Sequence, residues 1–125
     1  MMGRIYVYDG SFYGFLTAVF YVYFNHDVLE DICTDLNLQL AIGAQTLAIE
    51  TEEDKAERVM TSLIKKIGKL GLYRIYKAFL SDSIGREKLI FDYIGIVLKS
   101  GHDAKYLYAE KTVTDVLKLS EKTGS

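Results

Sequence analysis

The sequence predicts a mainly α fold, a helical bundle of about five helices with a small two-stranded β-ribbon at residues 4–8 and 45–50. Three observations lead there. Apolar residues recur at three- and four-residue spacing through most of the chain, the mark of helices with one buried face. Two short stretches, 4–8 and 45–50, alternate clearly enough to be read as strands. Proline is absent, and glycine and polar residues mark the breaks, which suits helices joined by short turns.

Taken in order, Arg-Ile-Tyr-Val-Tyr at 4–8 is β-branched and aromatic and alternates, as expected of a half-buried strand. Asp9-Gly10-Ser11 supplies turn and cap chemistry, with Asp9 or Ser11 placed to accept from the first N–H groups of a helix. That helix has apolar residues at 12, 15, 16, 19, 20 and 23. Tyr13, Ala18, Tyr21, Val22 and Phe24 make its other sides apolar too, so it is expected at the centre of the domain. Gly10 and Gly14 stand four residues apart, along a line where a neighbouring backbone can approach. The run stops at Asn25-His26, short of the ~20 residues that a membrane span requires. Residues 27–31 are expected to form a short helical turn. Residues 34–43 read as loop, with Leu36, Leu38, Leu40 and Ile42 hinting at extended chain. Residues 45–50 form the second strand, paired with 4–8 in a ribbon that must lean on helices to be stable.

Thr51-Glu52-Glu53-Asp54 combines a Ser/Thr-x-x-acid cap with first-turn acidic charge and opens the clearest helix. Ala56, Val59, Met60, Leu63, Ile64 and Ile67 keep its spacing, Lys65 and Lys66 fall in its last turn, and Gly68 stops it. Residues 70–80 make the next helix, with Leu72, Ile75, Tyr76, Phe79 and Leu80 inward. After a break at 81–83, residues 85–100 make another, with Leu89, Ile90, Tyr93, Ile94, Val97 and Leu98 inward. Short connections between these helices imply antiparallel neighbours. A loop with Tyr106 and Tyr108 follows, and Thr112 or Thr114 caps a last helix carrying Val116, Leu117 and Leu119.

A chain of 125 residues without repeats reads as one domain, 1–125, and 50% hydrophobic content is enough to fold it. The lone Cys33 allows no internal disulfide and no cysteine-based metal site, which fits a reducing compartment. The N-terminal stretch lacks a basic region followed by an apolar segment and a small-residue cleavage site, so no export signal is read and a cytoplasmic location is expected. The net charge of −2 hides a strong polarity. Residues 1–64 carry 3 basic and 10 acidic groups, whereas residues 65–88 carry 7 basic and 2 acidic ones.

Most catalytic patterns are absent. There is no phosphate-binding glycine loop, no nucleophile elbow and no zinc spacing, so no cofactor and no metal is assigned. His26-Asp27 and His102-Asp103 bring metal-dependent phosphohydrolases to mind, but their spacing does not supply the converging ligands that such sites need. Nothing marks Cys33 as a nucleophile. Asp9, next to a helix N-terminus, serves either as an acid or base or simply as a cap. The basic band, Lys65, Lys66, Lys69, Arg74 and Lys77, is interleaved with Tyr73 and Tyr76, a combination suited to phosphate contact and base stacking. The same residues also describe an ordinary solvated helix surface with Tyr76 on its apolar stripe.

The stretch Tyr8-Asp9-Gly10-Ser11-Phe12-x-Gly14-Phe15-Leu16-Thr17-Ala18-Val19-Phe20 resembles the start of a bacterial family of DNA-metabolism proteins, a domain of unknown function. The likeness continues through Ile49-Glu50-Thr51, Lys55-Ala56-Glu57-Arg58-Val59 and Arg74-Ile75-Tyr76-Lys77-Ala78-Phe79-Leu80-Ser81, and more weakly through Asp115-Val116-Leu117-Lys118-Leu119. The resemblance implies an accessory role in DNA metabolism or repair. The implied partners are a radical-SAM protein, a glycosylase-type protein or DNA itself, and no catalytic residue comes with it. It singles out Asp9, Gly10, Ser11 and Gly14 as the family motif. Family members resemble a longer chain, so this one is expected to match their N-terminal portion. The expected function is therefore docking of a partner enzyme or contact with DNA. The alternatives are part of an active site that uses Asp9, and a structural or self-associating module.

Overall fold

A computed structural model describes residues 3–34, 45–81 and 83–100, together with residues 115, 116, 118, 119 and 121. The order of elements is β1 (Arg4–Tyr8), α1 (Phe12–Phe24), β2 (Leu29–Thr34), β3 (Gln45–Ala48), α2 (Glu53–Phe79) and α3 (Arg86–Ser100). Helix dominates the described residues, and a small sheet accompanies it. The chain divides into two compact units, Met1–Val59 and Met60–Ser125; α2 begins in the first and continues in the second.

The first unit is an open parallel sheet with the order β2-β1-β3. This replaces the expected two-stranded ribbon. The pairing of residues 4–8 with the segment beginning at 45 is present, but a third strand lies on the other side of β1. That strand, β2, occupies the place where a helical turn was expected at 27–31. Glu30 and Asp31 interrupt its apolar alternation, so its extended form comes from pairing with β1 rather than from local preference. The register slips at this point: Arg4 faces Leu29 and Ile5 faces Asp31, which leaves Glu30 as a bulge.

As the central strand, β1 is buried on both faces, with Ile5, Tyr6, Val7 and Tyr8 all enclosed. The half-buried strand read from its alternation is thereby corrected. β3 is short and exposed, as a sheet edge tolerates, and pairing continues one residue further through the Ile49 N–H to the Val7 carbonyl at 2.7 Å. Cys33 is buried beside Ile5 and Val7.

Helix α1 crosses from β1 to β2 and packs on both. It buries Gly14, Phe15, Leu16, Thr17, Ala18, Val19 and Val22, whereas Tyr13, Tyr23 and Phe24 are exposed, Phe24 to 66%. The expectation of burial on every side is corrected: the helix covers one face of a three-stranded sheet, and its outer aromatics stack on one another. The Phe20 and Phe24 rings lie 5.8 Å apart and nearly parallel, and the Lys55 ammonium sits 5.4 Å from the Phe20 ring. The helix ends where the Asn25 N–H bonds to the Tyr21 carbonyl at 2.9 Å, and His26 takes a left-handed conformation (φ 55°) before β2.

The second unit carries most of α2, all of α3, and helical residues at 115, 116, 118, 119 and 121. Gly68 interrupts α2 with φ 75° and ψ 174°, a conformation essentially confined to glycine, so the stop expected there is a break within a longer helical element. Ile75, Ala78 and Phe79 on α2, Ile90, Ile94 and Val97 on α3, and Val116 and Leu119 are buried. Tyr76 and Leu80, expected inward, are exposed. The buried stripe of this segment runs through Ile75, Ala78 and Phe79, with Tyr76 at its border and Leu80 further round the helix. Leu117 and the loop with Tyr106 and Tyr108 lie outside the described residues, as do Thr112, Thr114 and residues 35–43. No helix among the described residues is long and apolar enough to cross a membrane.

Candidate functional site

The motif residues of the first unit meet at the C-terminal end of β1. Asp9 and Gly10 follow the strand, and Gly10 turns the chain with φ 93°. Ser11 then caps α1: its Oγ accepts from the Gly14 N–H at 2.9 Å. Asp9 Oδ1 accepts from the Ser11 N–H at 2.9 Å and from the Ser11 hydroxyl at 2.6 Å. Asp9 Oδ2 accepts from the Thr51 hydroxyl at 2.8 Å, which ties this turn to the segment leaving β3. Gly14 completes the arrangement by having no side chain. A Cβ there would fall on Asp9 Oδ1 and stand 2.9 Å from Thr51 Oγ1. The spacing of Asp9, Ser11 and Gly14 is therefore explained by a carboxylate folded over a helix start.

These donors hold the Asp9 carboxyl below its ordinary value, Ser11 contributing most and Thr51 adding to it. A carboxylate kept ionised by three donors is a weak base and a poor acid near neutrality. Its neighbours are a glycine turn and two hydroxyls, and its negative charge disfavours an anion at this helix N-terminus. Thr51 is spent on Asp9 rather than on capping α2, which corrects its expected role. The chain before α2 is held instead through Glu52: its N–H bonds to Thr17 Oγ1 at 3.1 Å, and its carboxylate accepts from the Tyr21 hydroxyl at 2.5 Å. Nothing local in the sequence announces these contacts, because they join residues more than thirty positions apart.

A second cluster fastens the chain between α1 and β2 to the first strand. Tyr6, fully buried, donates its hydroxyl to Asp27 Oδ2 and accepts from Asn25 Nδ2 at 3.1 Å. Arg4 pairs with the same Asp27 oxygen at 3.3 Å. Burial and the Asp27 carboxylate together push the Tyr6 phenol up to about 12. Asp27 of the His26-Asp27 pair is thus engaged by Tyr6 and Arg4, and His102-Asp103 lies outside the described residues.

The basic band lies in the second unit. Lys65, Lys69 and Arg74 are exposed, and Lys66 and Lys77 are half-buried. Gly68 separates Lys65 and Lys66 from the rest, so only Lys69, Arg74 and Lys77 share one uninterrupted helical segment. Tyr73 is 55% exposed and stands opposite the buried stripe of Ile75, Ala78 and Phe79, and Tyr76, 39% exposed, borders that stripe. The Lys77 ammonium lies 5.6 Å from the centre of the Tyr73 ring. Leu70, 62% exposed, extends the same surface and was not singled out by the sequence pattern. Between Glu57 and Asp82 the chain has no acidic residue at all. The candidate residues therefore fall into two sets that belong to different units: a self-satisfied turn at Asp9, Gly10, Ser11 and Gly14, and an exposed surface that combines cations with aromatic rings.

Set against family models, curated proteins and solved structures, the chain finds no match in any of the three.

Proposed function

We propose that this chain is an accessory domain of DNA metabolism whose second unit contacts nucleic acid through Lys65, Lys66, Lys69, Arg74 and Lys77, with Tyr73 and Tyr76 between them. The observation that carries this reading is the exposure of both tyrosines within an acid-free basic stretch. Cations placed along a surface exchange counterions for phosphates, and exposed rings offer a face to bases. Tyr76 weighs in particular, because on the buried stripe it would have been unavailable. The resemblance of the Tyr8–Phe20 stretch to a DNA-metabolism family points the same way, and it implies a radical-SAM or glycosylase-type enzyme as the partner that would supply the chemistry. The count of about five helices belongs to this reading too: Gly68 divides α2, and the helical residues 115, 116, 118, 119 and 121 add to α1 and α3.

The alternative in which Asp9 works as an acid or base has less support, since its carboxylate is occupied by Ser11 and Thr51. Self-association has one favourable observation, the exposed Tyr13, Tyr23, Phe24 and Val28 of the first unit. A monomeric sedimentation profile over a wide concentration series would count against it.

Amide chemical-shift mapping during a DNA titration separates these readings. Nucleic-acid contact through the basic band predicts perturbations concentrated at residues 65–77. Perturbations concentrated at residues 9–14 and Thr51 would contradict it and return attention to Asp9.

A further inference from the structure

Resting on the nucleic-acid reading above, we infer that the ligand of the basic face is single-stranded, with bases stacked on Tyr73 and Tyr76 and the backbone held by Lys69, Arg74 and Lys77. Helical spacing places Lys69, Tyr73, Tyr76 and Leu80 along one line of α2, with Leu70, Arg74 and Lys77 beside it. Tyr73, Tyr76, Leu70 and Leu80 are all exposed, so a line of apolar and aromatic surface runs along the helix with cations at its margin.

This layout differs from what a duplex asks of a protein. A duplex presents phosphates outside and hides the faces of its bases, so cations and small hydrogen-bonding groups suffice, and exposed rings gain nothing. A single strand offers base faces, and aromatic rings take them up without regard to sequence. Two rings three residues apart are separated by about 4.5 Å along the helix axis, a step that adjacent unstacked nucleotides can follow. The Lys77 ammonium beside the Tyr73 ring places positive charge next to that platform. Charge complementarity favours a polyanion, and the absence of acid between Glu57 and Asp82 leaves no carboxylate in this stretch to repel phosphates.

The test is fluorescence-anisotropy titration of the full chain with a labelled 15-nucleotide oligothymidylate and with a labelled hairpin duplex, at matched salt. Two variants accompany it: Tyr73→Leu/Tyr76→Leu, which keeps apolar bulk at exposed positions, and Lys69→Gln/Arg74→Gln/Lys77→Gln. Thermal unfolding of each variant checks that it remains folded. The expected result is at least tenfold tighter binding of the single strand. Loss of both rings in the tyrosine variant should weaken single-strand binding about a hundredfold, roughly tenfold per ring, and leave the salt dependence unchanged. Equal binding of both probes, with the tyrosine variant unaffected and the cation variant weakened, overturns this inference and leaves nucleic-acid contact standing. No binding of either probe at low salt overturns the nucleic-acid reading itself.

Discussion

At the scale of single residues, Asp9 and Gly14 act as one device. The carboxylate satisfies Ser11 and Thr51, and the missing side chain of Gly14 makes room for it. Gly14→Ala is predicted to cost about 1–3 kcal/mol by forcing Asp9 and Thr51 apart, measured as a lower urea midpoint. Asp9 gives a pH signature whose sign follows from its depressed value. The folded state holds the carboxylate ionised below the ordinary 3.8, so its contribution is present above that value and disappears as pH falls through the lower folded one. Asp9→Asn is predicted to lower stability at neutral pH and to flatten this acid limb; an unchanged acid limb would remove the carboxylate from the account. Tyr6 has the opposite sign. Its raised value favours the neutral phenol in the folded state, so stability is retained to 10.0 and lost as pH climbs toward about 12. Alkaline unfolding of Tyr6→Phe should lack that component.

At the scale of elements, the sequence was most legible where a residue's role is local. A cap at Asp9 or Ser11, the break at Gly68 and the strand at 4–8 follow from turn chemistry and β-branched composition; all three are present, with Ser11 as the cap. β2 was illegible because Glu30 and Asp31 hide its pattern and only pairing with β1 reveals it. Thr51 and Glu52 looked like a helix cap because their partners, Asp9, Thr17 and Tyr21, are distant in sequence. The candidate surface was legible as charge, since Lys65, Lys66, Lys69, Arg74 and Lys77 stand out in the chain. Its aromatic residues were legible as well, but Tyr76 also fits the apolar spacing of residues 70–80, and only the structure shows it exposed. Gly68 carries the element-scale prediction. A side chain there would meet no neighbour, but its backbone conformation excludes one, so Gly68→Ala should destabilise by about 1–3 kcal/mol in urea unfolding. A neutral substitution would mean that α2 runs straight through.

At the scale of the whole molecule, the charge polarity of the sequence coincides with its division into units. Met1–Val59 carries 3 basic and 10 acidic groups, and Met60–Ser125 carries 12 basic and 7 acidic ones. A net charge of −2 thus conceals a unit that repels phosphates and a unit that attracts them. On the proposed nucleic-acid reading, binding is expected to be weak in sum and strongly salt-dependent, through the second unit only. The most direct measurement is the salt dependence of single-strand affinity for the unaltered chain and for a variant with Lys65, Lys66, Lys69, Arg74 and Lys77 all changed to glutamine. Contact of all five cations with phosphates predicts a slope of log affinity on log salt of about −3.5, and contact of Lys69, Arg74 and Lys77 alone about −2; either collapses toward zero in the variant while its thermal unfolding is retained. A variant that binds with the same affinity and the same slope would contradict the account and place any nucleic-acid contact elsewhere on the chain.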